Sequence, residues 1–322
     1  MARFLRVGSI QFSAFADLQR GEPESMERVL RMTRNDLDSL KGYNLDLVLT
    51  CELVEGYGLT NETAETVEQP GPFLSVYQEF AKAESCHVAG SIKLREGDDV
   101  FNSLVYIGPD GAVIGAYHKT FLTGNEIAQG LRSGDGPKVF DTAIGRLGGV
   151  ICFDQKFEQL RFEYRDLKPD ILTFSSAYHG GFLQQQWAYE CQCYYLTALR
   201  FYGGGVIDPL GQTVKLNTNY SRTMCTTINL DRVLVKRSGN YGRFPLIEKK
   251  YQDEVTIDVP SYLGATLIYS NSDERSAMDI VKEFELELHD DFFARNIRQN
   301  EENRRLCTEM KESTSHYQVL RL

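Results

Sequence analysis

Several things are scarce in this 322-residue sequence, and each scarcity removes a class of function. It has one tryptophan, five histidines and nine prolines. No stretch approaches the roughly 20 apolar residues that cross a bilayer, so no membrane partner is expected. The opening residues Met1 to Phe12 hold no long apolar run and no small-residue cleavage end, so no secretory leader is read there. Basic residues are outnumbered, 35 Lys+Arg against 45 Asp+Glu. That balance argues against a nucleic-acid partner, since phosphate contacts need clustered cations. No G-x-S-x-G or H-E-x-x-H occurs, which removes the common serine-hydrolase and zincin readings. Gly203-Gly204-Gly205 lacks dinucleotide-loop spacing, and Gly130, Gly134 and Gly136 before Lys138 lack phosphate-loop spacing. No histidine lies near Cys191-Gln192-Cys193, so no metal site is expected there and no cofactor is called for. No internal repeat of 20–50 residues is present, which excludes solenoids and propellers.

Seven cysteines are present (51, 86, 152, 191, 193, 225, 307). They are odd in number, in a chain too large to need disulfide staples. The expectation is a reduced, cytoplasmic protein with free thiols.

Strand and helix patterns alternate. Strands are predicted over 6–13, 44–51, 87–94, 145–152, 169–177 and 222–230. Helices are predicted over 23–41, 73–86, 157–167 and 183–200. Pro109-Asp110-Gly111 and Pro209-Leu210-Gly211 are turns of two hairpins, where Gly supplies a positive φ. Hairpins mixed with helix-connected strands imply layered α/β architecture. Beyond about Val235 the pattern weakens. Residues 237–259 read as irregular and 272–313 as one or two charged helices, either a solvated appendix or an arm docking on a partner subunit.

The apolar run ending in Val150-Ile151-Cys152 feeds a helix pattern that begins at Phe157. A thiol there lies outside the carboxyl end of a sheet, where open α/β folds bind ligands. It is equally the pattern of a buried structural cysteine. Glu52 ends another strand, and Lys119 ends a hairpin strand. A carboxylate that takes a thiol proton, a thiolate that attacks and an ammonium that holds an oxyanion are together what acyl transfer from an amide needs.

These segments resemble the nitrilase superfamily of carbon–nitrogen hydrolases. The likeness rests on Val7-Gly-Ser-Ile-Gln11-Phe12, Cys51-Glu52 followed by Gly56-Tyr57, and His118-Lys119-Thr120-Phe121-Leu122. It rests too on Gly149-Val-Ile-Cys152-Phe153-Asp154, Ser175-Ser176-Ala177 and Asp208-Pro209-Leu210-Gly211. It runs over about residues 5–235 in the family's order. Cys51 stands where the family usually has Pro, and no Pro precedes Ser176.

The resemblance implies a four-layer α-β-β-α sandwich over residues 1–235, with a partly helical C-terminal extension over 236–322. It implies Cys152 as nucleophile, Glu52 as general base and Lys119 as oxyanion partner, with the backbone N–H of Phe153 as second oxyanion donor. Glu126 would hold Lys119 or the substrate amide, and Glu55 is a competing base. Tyr57, Tyr178 and His179 would line the pocket. Phe153-Asp154 after the cysteine resembles the amidase and carbamoylase branches rather than nitrile-cleaving members. The expected partner is a small amide or N-carbamoyl substrate, cleaved through a thioester with release of ammonia or an amine. Nitrile hydrolysis and a catalytically silent scaffold are the alternatives. A homodimer or larger homo-oligomer is expected, through the helix beginning at Phe157 and the helix around Trp187.

Overall fold

The structure is a computed structural model that describes residues 2–12, 23–52, 60–62, 64–200 and 203–319. The chain divides into two compact units, one spanning Arg3–Leu230 and a second from Asp231 onward that includes Ala2.

In the first unit the elements run β1 (Phe4–Ile10), α1 (Pro23–Asp38), β2 (Leu47–Leu49), α2 (Pro72–Glu84), β3 (His87–Glu96), β4 (Asp99–Ile107) and β5 (Val113–His118). The chain continues through α3 (Gly124–Ala128), β6 (Val139–Thr142), β7 (Gly145–Ile151), α4 (Glu158–Leu167), β8 (Ile171–Ser176) and α5 (Leu183–Cys191). It closes with β9 (Tyr194–Leu199), β10 (Gly205–Ile207), β11 (Thr213–Leu216) and β12 (Thr223–Asn229). The strands form two six-stranded sheets, ordered β12-β1-β2-β3-β4-β5 and β11-β10-β9-β8-β7-β6. In each, three central strands pair in parallel, β1-β2-β3 and β7-β8-β9, and antiparallel strands flank them.

Burial explains the layering. β2 and β8 are buried at every residue, as strands covered on both faces must be. Val29 and Leu37 of α1 and Leu40 in the turn after it, with Phe73, Leu74, Tyr77 and Phe80 of α2, pack on Val48, Val88, Ile92 and Val105 of the first sheet. Leu160 and Tyr164 of α4, with Trp187 and Ala188 of α5, pack on Val150, Leu172, Phe174 and Tyr195 of the second. The inner faces of the sheets meet each other, with the Tyr106 hydroxyl 2.6 Å from Thr173 Oγ1. The approach is close at Gly149, where a Cβ would fall 2.8 Å from the Tyr117 ring. The result is an α-β-β-α sandwich.

Residues 183–200, expected as one helix, are two elements. Gln192 adopts φ 53° and ψ 38° and ends α5, and Tyr194–Leu199 is a strand buried at all six positions. Cys191 and Cys193 therefore flank a turn rather than share a helix. Strand β6, which the sequence pattern did not reveal, pairs with β7.

The second unit is built on an antiparallel sheet, β13 (Arg232–Lys236), β14 (Val255–Asp258) and β15 (Ala265–Ser270), in the order β13-β15-β14. With α6 (Phe244–Tyr251) and α7 (Ala277–Glu283) it encloses its own core of Val235, Ile247, Ile268 and Ile280. The stretch 237–259, read as irregular, thus contains a helix and a strand. The unit ends in the long helix α8 (His289–Val319). Among the described residues no helix is long and apolar enough to cross a membrane.

Candidate active site

Parallel strands in both sheets send their carboxyl ends to one region, and the three residues singled out from the sequence leave from strand ends. Glu52 follows β2, Lys119 follows β5 and Cys152 follows β7. Cys152 opens a 3-10 turn, Cys152–Lys156, with φ +46°. A non-glycine residue in that region is uncommon and is held there by its surroundings. Asp154 does the holding. Its fully buried carboxyl accepts from Ile151 N–H (3.0 Å), Phe121 N–H (2.7 Å) and the Tyr117 hydroxyl (2.7 Å). Burial pushes its pKa up to about 7, against the pull of those donors. Trp187 Nε1 donates to the carbonyl of Gln155 (3.0 Å), fixing the far side of the turn.

Glu52 is 3% exposed and takes three donors. Lys119 Nζ (3.1 Å) and Asn102 Nδ2 (2.9 Å) reach its Oε1, and the N–H of Ala177 (2.8 Å) reaches its Oε2. Lys119 is 1% exposed, and its Nζ also lies 2.9 Å from both oxygens of Glu126. Burial opposes the ammonium charge, but Glu52, Cys152 and Glu126 outweigh it and raise the pKa. Glu126 is fixed in turn by the N–H and hydroxyl of Thr123 (2.8 and 2.9 Å), a capping box on α3, and by Asn102 Nδ2 (2.9 Å). Burial acts to raise its pKa, but Lys119 and these donors together outweigh burial and leave it below the usual glutamate value.

The thiol of Cys152 is half-buried. Burial first, and then the Glu52 carboxylate, push its pKa up to about 12, opposed by Lys119, the Ser176 hydroxyl and the Ala177 N–H. The resting group is therefore a thiol with a carboxylate beside it, the arrangement in which a base removes the proton as sulfur attacks.

A family model described as carbon-nitrogen hydrolase matches residues 7–237. The chain belongs to this family. Omega-amidase NIT2 of Mus musculus is 24% identical over 228 residues, 63% of this chain and 81% of its own. Omega-amidase NIT2 of Homo sapiens is 29% identical over 153 residues, 42% of this chain and 55% of its own. The chain likewise spans about half the length of the Bos taurus and Danio rerio omega-amidases, 52% and 57%. Among solved structures, the CN-hydrolase superfamily protein XC1258 of Xanthomonas campestris, which carries an arsenic adduct in its active site, superposes with TM-score 0.60. It is 24% identical, over 75% of this chain and 95% of that one. An amidase from Nesterenkonia superposes with TM-score 0.56 at 18% identity, over 70% and 89%. These likenesses show the same sandwich fold.

Within this carbon–nitrogen hydrolase unit, the structure brings Glu52, Lys119 and Glu126 into one hydrogen-bonded cluster, with Cys152 close enough to couple electrostatically to Glu52 and Lys119. Phe153 follows Cys152 in the 3-10 turn, where the first N–H groups have no partner within the turn's own bonding pattern. Its ring meets Phe157 edge-on at 5.2 Å, and Phe157 stacks on Phe121 at 3.7 Å. Tyr178 donates to Gln155 Oε1 (3.1 Å) and carries Lys156 over its ring at 5.4 Å. Burial first, then the charges of Cys152 and Glu52, raise its pKa, so it lies beside the cluster. His179 is exposed, and its hydrogen bonds go to Gly181 and Gln184 rather than to the cluster. Tyr57 and Glu55 lie outside the described residues.

Sequence reading missed Asn102. It donates to both glutamates, but nothing in Phe101-Asn102-Ser103 announces this, because the contacts span 50 and 24 positions. Among the described residues no group of three or more His, Cys, Asp or Glu could hold a metal ion.

Proposed function

We propose that this chain is a thiol amidase. It would hydrolyse the C–N bond of a small amide or N-carbamoyl compound through a Cys152 thioester. The observation that supports this most strongly is the buried Glu52–Lys119–Glu126 cluster beside a thiol held at a strand-to-helix elbow. Relatives named omega-amidase favour an amide over a nitrile as substrate. In the Nesterenkonia amidase, a Glu-to-Gln variant carries an acetamide moiety covalently added at the active-site cysteine.

The geometry supports the following steps. Glu52 takes the thiol proton as the Cys152 sulfur bonds to the carbonyl carbon. The carbonyl oxygen becomes an oxyanion held by Lys119 and the N–H of Phe153. As the C–N bond breaks, Glu52 returns the proton to the departing nitrogen, and ammonia or an amine leaves a thioester. Water then adds to the thioester while Glu52 takes its proton. The C–S bond breaks, and the proton returns to sulfur. Glu126 touches no reacting atom in this scheme; its role is to hold Lys119.

The test is ammonia release from a panel of short amides, ω-amides and N-carbamoyl compounds. Turnover on at least one is expected, together with its complete loss in Cys152→Ala at an unchanged melting temperature. Turnover retained in that variant would overturn the assignment. We further propose a homodimer joined through α4 and α5. Phe162 on α4 is 41% exposed and lies 5.3 Å from the guanidinium carbons of both Arg161 and Arg165. Trp187 itself is fully buried within its own unit. Light scattering that gives a monomer would contradict this assembly.

A further inference from the structure

Asn102 sits on β4 beside Lys119, and its backbone carbonyl accepts the Lys119 N–H at 2.8 Å. Its side chain is fully buried. Nδ2 donates at 2.9 Å to Oε1 of Glu52 and at 2.9 Å to Oε1 of Glu126. Lys119 Nζ contacts the same two oxygens. Two acceptors and two donors thus alternate around a closed ring. Chemistry fixes the orientation of the amide, because only its NH₂ can face two carboxylates.

Asn102 Oδ1 is buried and has no hydrogen-bond partner among the described residues. A buried, unsatisfied carbonyl destabilises a fold. A side chain kept for stability alone would satisfy both ends. Among the described residues, Asn102 satisfies only the end that meets the two glutamates.

With Oε1 of Glu52 engaged by Asn102 and Lys119, its Oε2 is left to Ala177 N–H, next to the Cys152 thiol. We infer that Asn102 is a positioning residue: it holds the Glu52 carboxylate in the one rotation that turns Oε2 toward Cys152, and it spaces Glu52 and Glu126 around a single ammonium. Lys119 alone cannot do this, since a compact ammonium on a flexible stem does not set the plane of a carboxylate. The inference rests on the amidase reading, in which Glu52 activates Cys152.

The experiment measures that activation without any substrate. The full chain is treated with iodoacetamide at pH 9, and alkylation of each cysteine is followed by mass spectrometry, with exposed Cys307 as internal reference. Asn102→Leu removes both donors without adding charge. Asn102→Asp keeps the shape but sets a third carboxylate against Glu52 and Glu126. Circular dichroism identifies the folded variants. Alkylation of Cys152 relative to Cys307 is expected to fall about tenfold to a hundredfold in Asn102→Leu, the range for hydrogen bonds to charged groups, and further in Asn102→Asp. A packing role predicts the reverse order, with the isosteric Asp the milder change. Wild-type rates in either folded variant, or Asp milder than Leu, would overturn the inference and leave the amidase reading standing. Failure of wild-type Cys152 to alkylate faster than the buried or half-buried thiols at 51, 86, 191, 193 and 225 would overturn both.

Discussion

Replacing Lys119 by Met removes one positive charge from between two glutamates while keeping most of the side-chain volume. The Lys119 and Glu52 side chains are 2% and 4% exposed, and that of Glu126 is 13%. At such burial the solvent cannot take over the work of the ammonium. Breaking a buried ion pair by deleting one partner destabilises by about 3–5 kcal/mol, because the remaining charge stays buried and unpaired. For a unit of this size each kcal/mol lowers Tm by about 2–4 °C, so Lys119→Met should melt about 6–20 °C below wild type at pH 7. The deficit should depend on pH, and its sign can be worked out. In wild type the pKa of Glu126 is lowered, so its contribution is present above the unfolded value of 4.5 and is lost as pH falls below it. In the variant two carboxylates face each other without a cation, which raises a folded-state pKa above the unfolded one. That group stabilises fully below the unfolded value and less as pH rises through the folded one. The second effect brings the melting temperatures together as pH falls from 7 toward 4, and the first adds to it only near and below 4.5. Thermal melts followed by circular dichroism across that range provide the measurement. A deficit under about 2 °C at pH 7, or one that stays constant down to pH 4, would refute the description of this cluster as a buried ionic network.

Two other substitutions test how the site is held. In Gly134→Ala the new Cβ would fall 2.3 Å from the His118 carbonyl oxygen, just before Lys119. A loss of about 1–3 kcal/mol is expected from overpacking, with a drop in Cys152 alkylation; wild-type values of both would show that the backbone gives way freely there. In Asp154→Asn, a donor replaces one of the oxygens that accept from Ile151, Phe121 and Tyr117. A loss of about 1–3 kcal/mol is expected, read from urea unfolding by the fluorescence of the single tryptophan, Trp187, which bonds the same turn. An unchanged midpoint would mean that Asp154 does not pin the elbow.

Much of the first unit was legible because its signals are local. Leu147–Ile151 is an apolar run that stops at a cysteine, and the hairpin turns at Pro109-Asp110-Gly111 and Pro209-Leu210-Gly211 carry their own φ requirements. The strand-end placement of Glu52 and Lys119 was equally visible. What escaped reading depends on contacts between distant segments. Tyr194–Leu199 is fully buried, and a short buried run has neither helical nor alternating periodicity to identify it. The sheet of the second unit is made of strands of five, four and six residues, each too short to show a period. Asn102 could be found only once β4, α3 and the end of β2 were placed together in space.

Neither sheet holds the proposed catalytic residues by itself. Glu52 and Lys119 come from one and Cys152 from the other, and the Ala177 amide that meets Glu52 also follows a strand of the second. These contacts join residues up to 125 positions apart, as does the bond from Ser175 Oγ to the Thr50 carbonyl that ties the same two strand ends together. Closing such separations is slow and comes late in folding. A partly folded chain, with either sheet formed alone, would hold Cys152 without the Glu52 carboxylate that the proposed mechanism assigns as its base. Under the proposed mechanism, chemistry would switch on only when the sandwich shuts, and the reactivity of one sulfur atom would then measure completed tertiary structure.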